Sequence, residues 1–307
     1  MENKDTLHAL EELSVSLEGE LKHDRIHRLI YATDASIYRE EPLAVFYPRN
    51  REDIKKLLSF AAEYNTGIIP RAAGTSLAGQ VVGSGIIADM SRYFTRIIEI
   101  NKEERWVRVE PGVVPDELNN ILRKEGLLFG PETSTSNRCN LGGMIGNNGC
   151  GLHSLVYGSV RDHIIEVKVL LSDGSEVVMG PLSEKEFEEK CTLDGMEGQI
   201  YRDVRSIMTD NKNSGSIRDE YPDRAIPRRN TGYALDDMLY CDLFTPGSGR
   251  PFNLARLIAG SEGTLAVVIE AKLGLVPLPP PVKALACIHL SRRNEVFKAN
   301  LIALKYK

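Results

Sequence analysis

Apolar and polar positions near the start of the chain alternate in the pattern of a β-α-β unit. A short apolar run at 43–47 precedes an amphipathic stretch that begins near Asn50, and a second apolar run follows at 68–69. The acidic pair at 52–53 would lie in the first helical turn, where the helix dipole favours negative charge. This order predicts two parallel strands joined by a helix that ends near Gly67.

Later in the chain, short β-branched runs predict strands that pair in antiparallel fashion. The runs at 97–100 and 106–110 are separated by a short polar turn, and those at 164–171 and 176–179 flank a Ser-Asp-Gly-Ser sequence. Such turns join hairpin strands. The polar stretch at 211–230 is rich in turn residues, so we predict a surface loop there.

The pattern divides the chain into an N-terminal helical segment at 1–40, a first lobe at 41–105, a second lobe at 106–280 and the start of a further domain at 281–307. The final segment has apolar residues at helical spacing but stops with neither a glycine cap nor a tail, so we expect a helix cut from a longer protein. The N-terminus lacks the basic start and apolar run of a secretion signal. Nowhere does an apolar run approach the ~18–20 residues of a membrane span.

Composition narrows the class of protein. The chain has 307 residues, of which 42% are hydrophobic and 26% charged, so a sizeable core is expected. Its formal net charge of -5 provides no field to attract nucleic acid. The five cysteines form no C-x-x-C pair, so this stretch encodes no zinc or iron-sulfur ligand set, and a reducing cytoplasm is the natural location. Each cysteine is better explained as a small buried hydrophobe than as a reactive thiol.

The strongest local motif is the loop at 70–80, P-R-A-A-G-T-S-L-A-G-Q, which directly follows a predicted strand. Glycines and small residues allow a close approach of backbone N–H groups to a diphosphate, and Thr75, Ser76 and Arg71 would add donors and a cation. The spacing matches neither a Walker loop nor a Rossmann turn. An ordinary glycine turn remains the alternative.

Two more segments have the same character. Residues 130–151 are so dense in Gly, Ser, Thr and Asn that they cannot fill a core, which favours a bound cofactor beside them. The sequence G-S-E-G-T at 260–264 opens the last long strand, and a simple turn is its alternative explanation.

In their order along the chain, these motifs resemble those of the PCMH-type FAD-binding domain of vanillyl-alcohol oxidase-type enzymes. The resemblance rests on P-R-x-x-G-T-S-L-x-G-Q, V-E-P-G-V, S-T-x-x-x-C-x-L-G-G-M-I-x-N-N, R-N-T-G-Y and G-S-E-G-T-L, and it covers roughly 20–280. It is nearest to FAD-linked dehydrogenases of D-lactate, glycolate and D-2-hydroxyglutarate. It implies an α+β fold of two α/β lobes, the first with a small parallel sheet and the second with a mainly antiparallel sheet.

The resemblance also implies where FAD would bind. The pyrophosphate would contact Arg71, Ala72, Ala73, Gly74, Thr75, Ser76, Gly79 and Gln80. The flavin and ribityl chain would contact Pro131, Ser134, Cys139, Gly142, Gly143, Asn147 and Gly151, and the adenine side would contact Glu262, Gly263 and Val268. Because the first loop lacks the histidine that binds flavin covalently in some relatives, we expect noncovalent FAD.

Several nearby side chains have open assignments. His153 follows the glycine-rich run and is either close to the flavin ring or simply a hydrogen-bonded histidine. Arg228, Arg229 and Tyr233 are candidates to reach the flavin edge, with surface or structural roles as the alternatives. No catalytic base or metal ligand is assigned, because such groups usually lie in the substrate or cap domain that would begin at 281–307.

The implied activity is oxidation of a small D-2-hydroxyacid by hydride transfer to flavin N5. The electron acceptor is unknown, and an iron-sulfur module fused C-terminally is one candidate. We expect a cytoplasmic protein, with peripheral attachment to the inner membrane through a partner left open. The alternatives are an NADPH-dependent reductase like that for UDP-N-acetylenolpyruvoylglucosamine, and a noncatalytic flavin-binding subunit of an electron-transfer complex.

Overall fold

The predicted β-α-β unit is present in the computed structural model, which describes residues 4–226, 228–229, 232–282 and 284–306. Its helix spans Arg51–Glu63, and the Asn50 side chain accepts a hydrogen bond from the Asp53 N–H at 2.9 Å. The cap satisfies a backbone donor that the helix cannot pair itself. The helix buries one apolar face, including Ile54, Leu57 and Phe60.

This unit belongs to a four-stranded sheet in the order β1-β2-β4-β3, formed by Glu20–Lys22 (β1), Ala44–Tyr47 (β2), Ile68–Arg71 (β3) and Ile86–Asp89 (β4). Strands β2, β3 and β4 are parallel, which confirms the small parallel sheet of the first lobe. Strand β1 comes from the predicted N-terminal helical segment and pairs with β2 in antiparallel fashion.

Asp53 ties the N-terminal segment to this sheet. The carboxylate is buried and accepts hydrogen bonds from the N–H groups of Glu18, Gly19 and Arg49, each at 2.9 Å. A buried charge is tolerated when several donors surround it. The acid that the sequence placed in a helical turn therefore also anchors two other segments.

The second sheet is entirely antiparallel and has the order β5-β6-β12-β8-β9, formed by Ile97–Asn101 (β5), Trp106–Val109 (β6), Ile164–Leu170 (β8), Glu176–Met179 (β9) and Val267–Gly274 (β12). Both predicted hairpins are confirmed. Strand β5 lies in this sheet, although its residues fall within the predicted first lobe at 41–105. The lobe boundaries themselves stay a prediction.

The remaining elements are short strand pairs and helices. Two ladders join Leu127–Leu128 (β7) to Val276–Pro277 (β13) and Pro181–Leu182 (β10) to Phe252–Asn253 (β11). Besides Arg51–Glu63 (α3), the described helices are Lys4–Ser16 (α1), Arg25–Tyr31 (α2), Pro115–Leu122 (α4), Leu141–Gly146 (α5), Ser154–Tyr157 (α6), Val160–His163 (α7), Glu184–Cys191 (α8), Gly195–Thr209 (α9), Asn211–Glu220 (α10), Leu235–Leu239 (α11), Ala255–Ile258 (α12) and Arg293–Ala303 (α13).

Helix α10 corrects one expectation, because the polar stretch at 211–230 was predicted as a surface loop. The Asp210 side chain accepts a hydrogen bond from the Asn213 N–H at 2.8 Å and so begins the helix. Ser214 and Ile217, three residues apart, are buried beside α9. Because only these two of the segment's described positions are buried and most of the rest is polar, its composition did not indicate a helix.

The chain divides into two compact units, Met1–Pro277 and Leu278–Lys307. The second unit contains α13, whose apolar side chains Val296, Phe297 and Leu301 are exposed. The described helices all fall short of what a bilayer crossing demands in length and apolarity.

Candidate functional site

A cavity of about 400 Å³ lies where the loop after β3, the glycine-rich run and the 260–264 turn come together. Most of the residues that the resemblance indicated line it: Arg71, Ala72, Ala73, Gly74, Thr75, Ser76, Gln80, Ser134, Cys139, Gly142, Gly143, Asn147, Glu262, Gly263 and Val268. Gly79, Pro131 and Gly151 are not part of its lining. The structure thus brings three distant segments to one cavity, while the contact of each residue with FAD stays a prediction.

The loop after β3 presents free backbone donors to this cavity. The N–H groups of residues 73–77 meet no acceptor among the described residues. Gly74 and Gly79 have positive φ angles of 65° and 79°, so the chain turns at positions where a Cβ would be strained. Unpaired N–H groups on residues that line a cavity suit the oxygens of a diphosphate.

Arg71 supports this loop from below. Its guanidinium donates to the carbonyl oxygens of Tyr31, Thr33 and Val81, at 3.2, 2.9 and 3.4 Å. Burial lowers the pKa of the Arg71 guanidinium from its ordinary value. The Arg71 side chain therefore contributes positive charge near the loop, but its own N–H donors are already hydrogen-bonded to backbone carbonyls.

Helix α5, within the glycine-rich run, packs closely against its neighbours. A Cβ added at Gly142 would lie 2.6 Å from the Cβ of Pro111, and one at Gly143 would lie 3.1 Å from the Cβ of Ala72. The Asn140 side chain donates to the Gly112 carbonyl at 2.7 Å, whereas its buried Oδ1 has no partner. Because Asn140 lines the cavity, this unpaired acceptor fits a ligand with hydroxyl groups, such as a ribityl chain.

The 260–264 turn joins the other two segments. The Glu262 N–H donates to the Gly146 carbonyl at 2.9 Å, and the Gln80 side chain donates to Glu262 Oε1 at 3.2 Å. Glu262 has a φ of 53°, which is uncommon for a residue with a side chain. The three predicted segments therefore contact one another directly.

The candidates near 228–233 separate into different roles. Arg229 forms an ion pair with the buried Asp236, so its charge is neutralised within the protein. Arg228 is exposed and donates to the Sγ of Cys150 at 3.2 Å, and Cys150 lines the cavity. The Tyr233 hydroxyl lies 2.6 Å from Thr264 Oγ1. Asn230 and Thr231 of the same motif lie outside the described residues.

His153 does not line the cavity and is hydrogen-bonded. Its Nδ1 lies 2.7 Å from Glu132 Oε1, and its N–H donates to the same oxygen at 3.3 Å. This contact supports the hydrogen-bonded explanation of His153. In the described parts of the chain, no three His, Cys, Asp or Glu side chains come together as metal ligands.

A cluster of buried charges behind the 260–264 turn was missed by the sequence analysis. Burial opposes the ionisation of Asp237, but Arg256, at 2.7 Å, together with Arg250 and Arg161, holds the pKa of Asp237 below its usual range. Arg161 in turn donates to the Gly232 and Ala259 carbonyls. The cluster therefore holds the backbone at Gly232 and at Ala259, directly before the 260–264 turn.

Asn140 and Cys150 are cavity residues that the sequence analysis also missed. Both lie inside the run at 130–151 that was already singled out for its small polar residues. The high content of small polar residues indicated the run as a whole, but it could not show which of its positions line the cavity.

The comparisons with known proteins agree with this geometry. Residues 42–180 match the family described as FAD binding domain. The chain is 37% identical over 267 residues to the D-2-hydroxyglutarate dehydrogenase of Pseudomonas putida, covering 85% of this chain and 25% of that protein. It is 41% identical over 255 residues to the enzyme of the same name from Escherichia coli, covering 82% of this chain and 24% of that protein.

More distant matches show the extent of the likeness. Glycolate oxidase subunit GlcD of Bacillus subtilis is 28% identical over 264 residues, which cover 85% of this chain and 43% of that subunit. A structure of alkyldihydroxyacetonephosphate synthase has the same fold, with a TM-score of 0.60 at 18% identity, over 91% of this chain and 41% of that one. The chain spans about a quarter of the length of the D-2-hydroxyglutarate dehydrogenases it matches. With the motifs and the cavity, the match at residues 42–180 identifies an FAD-binding domain in this chain, and its cofactor is FAD.

Proposed function

We propose that this chain is the FAD-binding part of a dehydrogenase that oxidises a D-2-hydroxyacid of the lactate, glycolate or 2-hydroxyglutarate class. The observation that supports this function most directly is the cavity with free N–H groups at 73–77, in a chain 41% identical to a protein named D-2-hydroxyglutarate dehydrogenase. When bound in this cavity, FAD would supply the acceptor for the hydride that leaves the hydroxyl-bearing carbon of the substrate.

Three loops would hold FAD, and we propose that they do so without a covalent bond. Residues 71–76, with Gly79 and Gln80, would hold the pyrophosphate, mainly through the free N–H groups that begin at residue 73. The flavin and ribityl chain would contact Pro131, Ser134, Cys139, Gly142, Gly143, Asn147 and Gly151, while Glu262, Gly263 and Val268 would face the adenine side. No histidine is among the described residues that line the cavity. Acid precipitation should therefore release the flavin into the supernatant.

Arg228 is the side chain that we assign to the carboxylate of the substrate. Its guanidinium is exposed and lies beside Cys150 in the cavity wall, whereas the neighbouring Arg229 is already paired with Asp236. A guanidinium that has no carboxylate partner among the described residues can form two parallel hydrogen bonds with the carboxylate of a substrate. The base that accepts the hydroxyl proton, and any divalent metal, are assigned to no residue of this chain.

Anaerobic reduction of the bound flavin tests the reaction. D-Lactate, D-2-hydroxyglutarate and the achiral glycolate are added separately to the FAD-loaded full-length protein, with L-lactate, L-2-hydroxyglutarate and NADPH as comparisons. We expect a D-hydroxyacid to bleach the visible flavin absorption and NADPH to leave it unchanged. Reduction by NADPH alone would overturn the proposal in favour of a reductase, and a protein that takes up no FAD would also overturn it.

We further propose that electrons leave through an iron-sulfur module fused C-terminally to this domain, in the cytoplasm, with any membrane contact made through a partner. The greater length of the related dehydrogenases, of which this chain covers 24–25%, supports the presence of further domains. Iron and acid-labile sulfide in the purified full-length protein are the expected result. Their absence would contradict the proposed module.

A further inference from the structure

Residues 31–38 precede the stretch that matches the family, yet they contact the loop that lines the cavity. The carbonyl oxygens of Tyr31 and Thr33 accept hydrogen bonds from the Arg71 guanidinium at 3.2 and 2.9 Å. The N–H of Ala35 donates to the Gly74 carbonyl at 3.1 Å. The segment therefore uses its backbone to hold two parts of the loop, the Arg71 side chain and the Gly74 carbonyl.

Tyr38 completes the contact at the far end of the loop. A Cβ added at Gly79 would lie 2.6 Å from Cδ2 and 3.1 Å from Cγ of the Tyr38 ring. The ring is thus packed directly on the Gly79 backbone. The hydroxyl of Tyr38 has no hydrogen-bond partner among the described residues. The contact depends on the aromatic ring alone.

The loop requires support of this kind because of its own chemistry. Its N–H groups at 73–77 are free to bind a ligand, so they do not hold the loop in shape. A loop with few internal hydrogen bonds loses conformational entropy when a ligand orders it, and that loss weakens binding. Contacts from outside the loop can order it beforehand while leaving the donors at 73–77 free.

We propose that residues 31–38, here called the brace, preorganise the loop at 71–80 for the pyrophosphate of FAD. Ala35 and Tyr38 are positioning residues: they contact the carbonyl of Gly74 and the backbone of Gly79 without using the N–H groups at 73–77. The brace rests on the proposed pyrophosphate site at this loop. It extends the FAD-binding domain beyond the matched residues 42–180 toward the N-terminus.

The affinity of the apoprotein for FAD tests the brace, measured by the change in flavin fluorescence on binding. Tyr38→Ala should raise the dissociation constant roughly tenfold, because the loop loses its outer contact. Tyr38→Phe keeps the ring and should stay within about twofold of the wild type. Ile37→Ala is the matched control, since that neighbouring side chain is 94% exposed.

Two further results guard against a merely structural explanation. The melting temperature of the apoprotein should be the same for Tyr38→Ala and Tyr38→Phe, since Tyr38 is 55% exposed. Ala35→Pro removes the N–H that donates to the Gly74 carbonyl, and it should also raise the dissociation constant for FAD. A Tyr38→Ala variant with wild-type affinity overturns the brace alone, whereas a wild-type protein that binds no FAD overturns the pyrophosphate site as well.

Discussion

The loop at 71–80, which lines the cavity, and the charge cluster around Asp236 and Asp237, which lies outside its lining, treat their polar groups in opposite ways. The loop leaves its N–H groups free at 73–77. In the cluster, both carboxylates are buried and paired with arginines. One region is ready for a ligand, and the other is complete without one.

The difference shows how a fold can hold unsatisfied donors in place. Arg161, from the cluster side, donates to the Gly232 and Ala259 carbonyls and so positions the 260–264 turn. The loop at 71–80 contributes little to its own rigidity and depends on contacts from neighbouring segments. Changes in the cluster should therefore reduce stability, whereas changes in the loop should reduce the affinity for FAD.

The largest expected effect is on stability, from Asp237→Ala. Removing this carboxylate leaves Arg256, at 2.7 Å, without its buried counter-charge. Loss of one partner of a buried ion pair costs about 3–5 kcal/mol. Urea unfolding of the apoprotein measures the loss, and Asp219→Ala, at an exposed position of α10, should change stability by less than about 0.5 kcal/mol. Equal stabilities for the two variants would contradict the structural role of the cluster.

Gly74→Val tests the loop side of the comparison. Gly74 has a φ of 65°, and an added Cβ would lie 2.5 Å from Arg71 Nη2, so valine would distort the loop. We expect FAD to bind roughly 100-fold more weakly, or about 2.7 kcal/mol. Gly215→Val is the control, because a Cβ added there meets nothing within 4 Å. A folded Gly74→Val protein with unchanged affinity for FAD would show that the pyrophosphate binds elsewhere.

The neighbouring arginines offer a sharper contrast. Arg228→Gln should raise the KM for the hydroxyacid by about 10–100-fold, since a charge-assisted hydrogen bond contributes about 1.5–3 kcal/mol. Its stability should be unchanged. Arg229→Gln should show the reverse, with lower stability and a smaller change in KM, because Asp236 loses its nearer arginine partner and keeps Arg224, at 3.7 Å. Steady-state kinetics and urea unfolding of both variants separate the two roles, and identical behaviour would refute the assignment of Arg228.

The smallest effect concerns pH. Because the arginines hold the pKa of Asp237 below its usual range, the ionised carboxylate stabilises the folded state at pH values above its unfolded pKa of about 3.9. That contribution is lost as the pH falls through the lower, folded-state pKa. The difference in unfolding free energy between the wild type and Asp237→Asn should therefore shrink below about pH 4, by at most about 1.4 kcal/mol per pH unit. A difference that stays constant down to acid pH would count against the ion pair.

The elements with local signals could be predicted from the sequence. Asn50 caps its helix, and the turn at 172–175, where Gly174 has a φ of 82°, joins the predicted hairpin. Short-range hydrogen bonding and turn chemistry determine such helix caps and turns, so a few adjacent residues suffice to indicate them. The convergence of the three loops on one cavity, in contrast, followed from the family resemblance and not from any local pattern.

The brace and the charge cluster could not be predicted, because their contacts join residues far apart in the chain. Asp236 and Asp237 look like surface acids in a short helix, and only the fold brings Arg161 and Arg256 to them. The Ala35 contact is made by a backbone N–H, which nearly every residue type has, so the sequence does not indicate it. Only the tertiary structure brings these groups together.

Strand β1 has a practical consequence for anyone who excises this domain. It covers the edge of β2, and the neighbouring Glu18 and Gly19 supply two of the N–H groups that surround Asp53. A gene cut at residue 42, where the family match begins, would lose all of these. The uncovered edge could then pair with other copies of the chain, and the product would aggregate during expression. A soluble version should start before Lys4, so that α1 is kept along with β1.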